Sequence, residues 1–127
     1  MKKILMGLCL IPLFSIGQTT DEVLAELKKQ NVLYPKIVLA QSILETGWYK
    51  CENCSRDNNN LFGLWNSKKN EYYYYTNWKE SIGGYKRGIQ YKYLRKDYKS
   101  YYHFLNEIGY ATDPQYIIKL KKIVKKL

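Results

Sequence analysis

The chain has 127 residues, 46% of them hydrophobic and 16% aromatic, with a formal net charge of +10. That length holds one compact core and is too short for two. A single histidine and only three cysteines give no ligand set for a zinc centre, and the basic balance calls for an anionic partner or none.

Lys2 and Lys3, the apolar run Ile4 to Ile16 and the small-x-small sequence Ser15-Ile16-Gly17 have the make-up of a secretory signal. Residues 1–17 are therefore expected to be removed, leaving 18–127 as one domain in the periplasm or outside the cell. Pro12 interrupts the apolar run, which is about 13 residues long against the roughly 20 needed to span a bilayer. No stable membrane insertion is expected after cleavage. Cys9 lies too early, behind bulky Leu8, to read as a lipidated cysteine. Without Lys2 and Lys3, 19 basic residues face 11 acidic ones, a charge of about +8. These residues are dispersed, and their clearest cluster, Lys119 to Lys126, reads as the wet face of one helix, so nucleic acid is not an expected partner. The charge reads instead as retention on an anionic wall.

Thr19 followed by Glu22 predicts a capping box, and Val23, Leu24 and Leu27 continue with helical spacing. Pro35 opens a second helix to about Thr46, where Gly47 can take the left-handed cap conformation. Its apolar residues go nearly all round, which marks a buried helix. The polar exceptions Gln41 and Glu45 are four apart and share a face. Cys51 and Cys54 follow in a polar loop; in an oxidising compartment that spacing favours a short structural disulfide over free thiols or redox work. Leu61 to Trp65 and Glu71 to Tyr75, around a five-residue polar loop, predict a β-hairpin. Trp78 to about Leu94 has helical spacing weakened by Gly83, Gly84 and Gly88. Tyr98 to Ile108 predicts another helix closed by Gly109. The last helix is expected to be capped by Thr112 or Asp113 and started by Pro114, with Ile117, Leu120, Val124 and Leu127 along one side. The fold class expected is α+β, predominantly α.

With one histidine and no metal cluster, carboxylates are the groups left for chemistry. Glu45 stands apart, in the last turn of a buried helix, where apolar surroundings and the helix dipole both disfavour its charge. A carboxylic acid that stays protonated near neutral pH can donate to a leaving glycosidic oxygen.

Three blocks in order, Ala40-Gln41-Ser42-Ile43-Leu44-Glu45-Thr46-Gly47-Trp48, then Asn59-Asn60-Leu61-Phe62-Gly63, then Tyr110-Ala111-Thr112-Asp113-Pro114 with Tyr116 and Leu120, resemble the glucosaminidase family, glycoside hydrolase family 73. The resemblance runs from about Val23 to Leu127. It implies a lysozyme-like fold with a small hairpin as one cleft wall, and cleavage of the β-1,4 bond between N-acetylglucosamine and N-acetylmuramic acid in peptidoglycan strands. Glu45 matches the family's general acid, and Tyr110 a cleft residue near the scissile bond. Gln41, Trp48, Asn60, Phe62, Gly63 and Tyr116 are expected to contact substrate, with Gly63 admitting sugar close to the backbone. Leu61 and Phe62 also fit a core, and Asp113 fits a helix cap better than a base. Many relatives carry a second carboxylate on a longer hairpin; by position Glu71 is the candidate here, and the alternatives are water activated by a different carboxylate or attack by the substrate's own acetamido oxygen. In a strand Tyr72 to Tyr75 alternate faces, which makes Tyr73 and Tyr75 candidates for stacking on sugars. A monomer without cofactor or metal is expected. The competing readings are a lytic transglycosylase, a non-catalytic wall-binding or assembly module, and a basic membrane-disrupting protein.

Overall fold

A computed structural model describes residues 19–127, and the leader expected over 1–17 lies outside them. Helix α1 (Thr20–Lys29) starts as its capping box dictates: the Thr19 hydroxyl accepts from the Glu22 amide at 3.1 Å, and the Glu22 carboxylate accepts from the Thr19 amide at 3.0 Å. Helix α2 (Pro35–Thr46) begins on proline and ends where Gly47 turns left-handed at φ 55°. Its residues 38–43 are all buried, so α2 is the central rod, packed between α1 and the C-terminal helix.

A loop crossed by the Cys51–Cys54 disulfide, with Cα atoms 6.2 Å apart, leads through one 3-10 turn (Ser55–Asn58) to the hairpin. Strands β1 (Trp65–Asn66) and β2 (Glu71–Tyr72) pair antiparallel, Trp65 opposite Tyr72 and Asn66 opposite Glu71. The ladder is shorter than the five-residue runs the sequence predicts. Asn60 is the reason: its fully buried side chain takes over the backbone bonds that a longer ladder would make. Its Oδ1 accepts from the Phe62 and Leu64 amides at 3.3 and 3.0 Å, and its Nδ2 donates to the Leu64 and Tyr73 carbonyls at 2.9 and 3.1 Å.

Helix α3 (Trp78–Tyr85), capped by Asn77, runs into a π turn (Lys86–Gln90) and a last α turn (Tyr91–Tyr93). The single helix predicted to about Leu94 is thus present but widened in its middle. Helix α4 (Tyr101–Glu107) starts three residues later than predicted because the Ser100 hydroxyl accepts from the His103 amide at 3.0 Å and fixes the cap there. Gly109, at φ 65°, closes it as expected. Helix α5 (Tyr116–Lys126) also starts late. Asp113 and Pro114 form a turn in front of it, with Asp113 Oδ1 accepting from the Gln115 amide at 2.8 Å.

The core gathers Val23, Leu27, Ile43, Leu61, Phe62, Ile82, Leu105 and Leu120 with the buried rings of Tyr85, Tyr101 and Phe104. Tyr34, Tyr93 and Tyr98 close around Tyr101 and Phe104 edge-on or tilted, with ring centroids 4.9 to 5.3 Å apart in the pairs they make with these two rings. No helix among the described residues is long and apolar enough to cross a membrane.

Asn60→Ala would strand the buried Phe62 and Leu64 amides and release the part-buried Tyr73 carbonyl, while the Leu64 carbonyl keeps the Tyr73 amide at 3.0 Å. At about 1–3 kcal/mol for an unsatisfied buried group, with partial relaxation, we expect a loss of about 3 kcal/mol in unfolding free energy. Urea denaturation measures it.

Candidate active site

Glu45 sits in the last turn of α2, and the chain turns away immediately behind it. Gly47, Trp48 and Tyr49 follow with φ of 55°, 60° and 64°, three left-handed residues in a row. Two of them carry side chains, which makes the segment costly, and it is held by its surroundings. The Thr46 hydroxyl accepts from the Tyr49 amide at 2.9 Å, and the buried Tyr49 phenol bonds the Ser42 hydroxyl at 2.7 Å. Trp48 is thereby thrown outward and stands 44% exposed three residues from Glu45.

The Glu45 carboxyl lies against Gly63. A Cβ at position 63 would come within 2.5 Å of Glu45 Oε1, and φ there is 65°, so both the space and the backbone conformation call for glycine. The Tyr116 phenol also acts on this carboxyl, favouring its charged form. Burial pushes the Glu45 pKa from its ordinary 4.5 up to about 7, with the Tyr116 bond pulling the other way.

Behind Tyr116 runs a line of buried polar side chains. Gln41 Nε2 donates to the Tyr116 oxygen at 3.2 Å, and Tyr85 donates to Gln41 Oε1. The Tyr85 and Tyr101 hydroxyls are 2.7 Å apart, and Gln90 Nε2 donates to Tyr101 at 3.1 Å. Gln90 finally clasps the Leu33 backbone, donating to its carbonyl at 2.8 Å and accepting from its amide at 3.0 Å.

A glucosaminidase family model, described as mannosyl-glycoprotein endo-beta-N-acetylglucosaminidase, matches residues 21–127. The chain belongs to this family. No curated protein matches the chain. Membership implies, in general terms, a glycoside hydrolase that acts on peptidoglycan.

Within this glucosaminidase domain the expected site residues divide into those at the surface and those beneath it. Gln41, Asn60 and Phe62, expected to contact substrate, are wholly buried: Gln41 donates to Tyr116, Asn60 builds the turn, and Phe62 packs on Tyr85 at 4.8 Å. Tyr116 is only 6% exposed and works through its hydroxyl. Gly63 makes room for Glu45 itself. Tyr110 donates to the Phe62 carbonyl at 2.6 Å and stacks on Tyr116 at 5.7 Å, so it braces the backbone that carries Gly63. Burial, with Tyr116 and Glu45 near by, holds its phenol well above the usual tyrosine range. Trp48, Tyr73 and Tyr75 reach the surface, Tyr75 only in part.

Glu71 is exposed on the hairpin opposite Asn66 and, among the described residues, forms no ion pair. Two other carboxylates are occupied. Thr76 binds Glu80 through its hydroxyl at 2.6 Å and its amide at 3.0 Å, and Lys119 binds Asp113 at 2.6 Å; each carboxyl is held below its usual range. The cap role expected of Asp113 is served at the Gln115 amide, ahead of α5.

Tyr85, Tyr101 and Gln90 were not singled out by sequence reasoning. A polar residue in a helical pattern reads as the wet face, and only the fold reveals that Gln90 points inward.

Two substitutions should move Glu45 in opposite directions. Gly63→Ala drives the carboxyl outward, so its midpoint in a carbon-13 NMR titration should fall from about 7 towards the ordinary carboxylate value. Tyr116→Phe removes the bond that favours the charged form, so the midpoint should rise.

Proposed function

We propose that the protein is an exported endo-β-N-acetylglucosaminidase that cleaves the β-1,4 bond between N-acetylglucosamine and N-acetylmuramic acid, with Glu45 as general acid. The observation that carries this reading is the Glu45 carboxyl wedged between Gly63 and Tyr116 at the end of a buried helix. Burial keeps a proton on Glu45 and Tyr116 favours its charged form, so the proton is held and can still be given up. As the bond from C1 to the glycosidic oxygen breaks, that oxygen takes the Glu45 proton and leaves as a hydroxyl. The carboxylate then accepts the proton of the water that completes hydrolysis. The family description itself names a glycan hydrolase acting at N-acetylglucosamine.

Glu71 stays exposed on a hairpin only two residues long, which favours attack by the substrate's acetamido oxygen over attack by Glu71. One rival remains on this scaffold, a lytic transglycosylase, in which the sugar's own hydroxyl replaces water and an anhydro product forms. Mass spectrometry of digested muropeptides separates the two by one water. Reducing N-acetylglucosamine ends support hydrolysis, and anhydro ends would overturn it.

Glu45→Gln should lower the rate at least about a hundredfold, the low end for loss of a general acid. In the parent the rate should fall as pH rises through about 7, where Glu45 ionises. Stability carries the same signature. A raised pKa favours the folded state while the group is protonated, and that contribution is lost as pH rises through about 7. At pH above 7 Glu45→Gln should therefore be more stable than the parent by up to about 3 kcal/mol, and the gap should close below the ordinary carboxylate range. Thermal or urea unfolding at two pH values checks this independently of turnover.

A further inference from the structure

Between the hairpin and α3 lies a groove of about 470 Å³, and it begins one residue from the Glu45 site, since Leu64, next to Gly63, is part of its lining. Trp65, Tyr73 and Tyr75 form the hairpin side, and Arg87 and Lys92 stand on the helix side. No acidic residue lines it. Trp65 is 51% exposed and Tyr73 45%, large rings left uncovered in water.

The helix wall is shaped to keep the groove open. A side chain at Gly84 would collide with the Tyr75 phenol, so that glycine lets the hydroxyl end of the ring approach the backbone. Gly88 differs, because a Cβ there would meet nothing within 4 Å. Glycine weakens a helix relative to alanine, and no packing contact accounts for it at 88; what it preserves is the space. Arg87 and Gly88 lie in the π turn Lys86–Gln90, a local widening that is frequent at functional sites.

The cations are available. Neither Arg87 nor Lys92 forms an ion pair among the described residues. Glu80, which feels the Arg87 charge, is already held by Thr76. The Arg87 guanidinium lies over Gly83, where a Cβ would sit 3.0 Å from Nη1. That places a planar fork of donors, suited to a carboxylate, at the rim of an aromatic trough.

We propose that this groove carries the glycan strand onward from the Glu45 site, with Trp65 and Tyr73 against sugar faces, and that Arg87 and Lys92 bind a carboxylate borne by that strand. The proposal rests on the reading of the protein as a peptidoglycan hydrolase and names the part of the substrate that sets it apart from a neutral glycan. Such a strand offers carboxylates at two places, the lactyl group of peptide-free muramic acid and the stem peptide. Polymers of N-acetylglucosamine offer none.

Calorimetric binding to protein carrying Glu45→Gln, in which no bond is cut, tests the groove apart from catalysis. The probes are an N-acetylglucosamine tetramer, strands stripped of peptide by an amidase, and strands with their peptides intact. With Arg87→Gln and Lys92→Gln together, the neutral tetramer should bind as before. Affinity for at least one charged strand should fall about tenfold, as expected for two partly exposed charge contacts. Loss on stripped strands identifies the lactyl carboxylate; loss confined to peptide-bearing strands identifies the stem. Gly88→Leu, whose Cβ would meet nothing within 4 Å, puts an apolar side chain on the groove wall and should weaken all three probes. Unchanged binding of both charged strands to the double variant, or of every probe to Gly88→Leu, would overturn the proposal. Intact binding combined with a parent enzyme that releases no ends would sink the hydrolase reading alone.

Discussion

The buried line of hydrogen bonds that ends on Glu45 has a direction, and proton bookkeeping fixes it. A tyrosine hydroxyl has one proton to give. Tyr85 gives its proton to Gln41 Oε1, so in the 2.7 Å contact between Tyr85 and Tyr101 the donor must be Tyr101. Tyr101 accepts in turn from Gln90, whose other amide proton goes to the Leu33 carbonyl. Gln41 then donates to Tyr116, and Tyr116 favours the charged form of Glu45. From Gln90 onward, each donor in the line faces towards the carboxyl. Each buried polar group is satisfied, and no member can reverse without leaving a neighbour unpaired, which is what makes such a network rigid. The carboxyl therefore feels two opposed influences, burial against its charge and a fixed donor in favour of it, and the balance leaves it titrating near neutrality.

The same constraint explains how helix α2 ends. Glu45 must stop rising along the helix axis to lie beside Gly63, and the three left-handed residues Gly47, Trp48 and Tyr49 end the helix within two residues of it. That conformation costs about 1–2 kcal/mol for each residue with a side chain. Thr46, Ser42 and the Cys51 amide, which donates to the Thr46 carbonyl at 3.1 Å, offset the cost by tying the turn back onto the helix. The Cys51–Cys54 disulfide follows at once and limits how far the turn can open.

What was legible in the sequence was local. Thr19 with Glu22, Pro35 and Gly47 announce helix ends through bonds made within a turn, and they stand where the pattern places them. What was not legible depends on partners far along the chain. Gln41 shares a face with Glu45 and so reads as a cleft residue, yet its amide is wanted by Tyr85 and Tyr116, 44 and 75 residues away. The run from Asn60 to Gly63 reads as the cleft floor, but three of its four residues are fully buried and the fourth yields its space to Glu45. The late starts of α4 and α5 have a milder cause, a choice among neighbouring caps that local spacing alone does not decide.

The hairpin that the sequence offers as the seat of a second carboxylate is brief. Its ladder is two residues long on each strand, because Asn60 has taken the bonds that would extend it, and Glu71 stays exposed on it. Glu80 and Asp113 are committed to Thr76 and Lys119 and held ionised. For the proposed hydrolysis, acid and base work then falls to one group. A carboxyl at its ordinary pKa would arrive without a proton, and one far above neutrality would give its proton up too reluctantly. Glu45, pushed to about 7, can lose the proton to the leaving oxygen and regain it from water at the same pH. A short hairpin and a finely balanced Glu45 belong together: with no partner carboxylate at hand, the chemistry depends on how well Tyr116 and its buried line hold that balance.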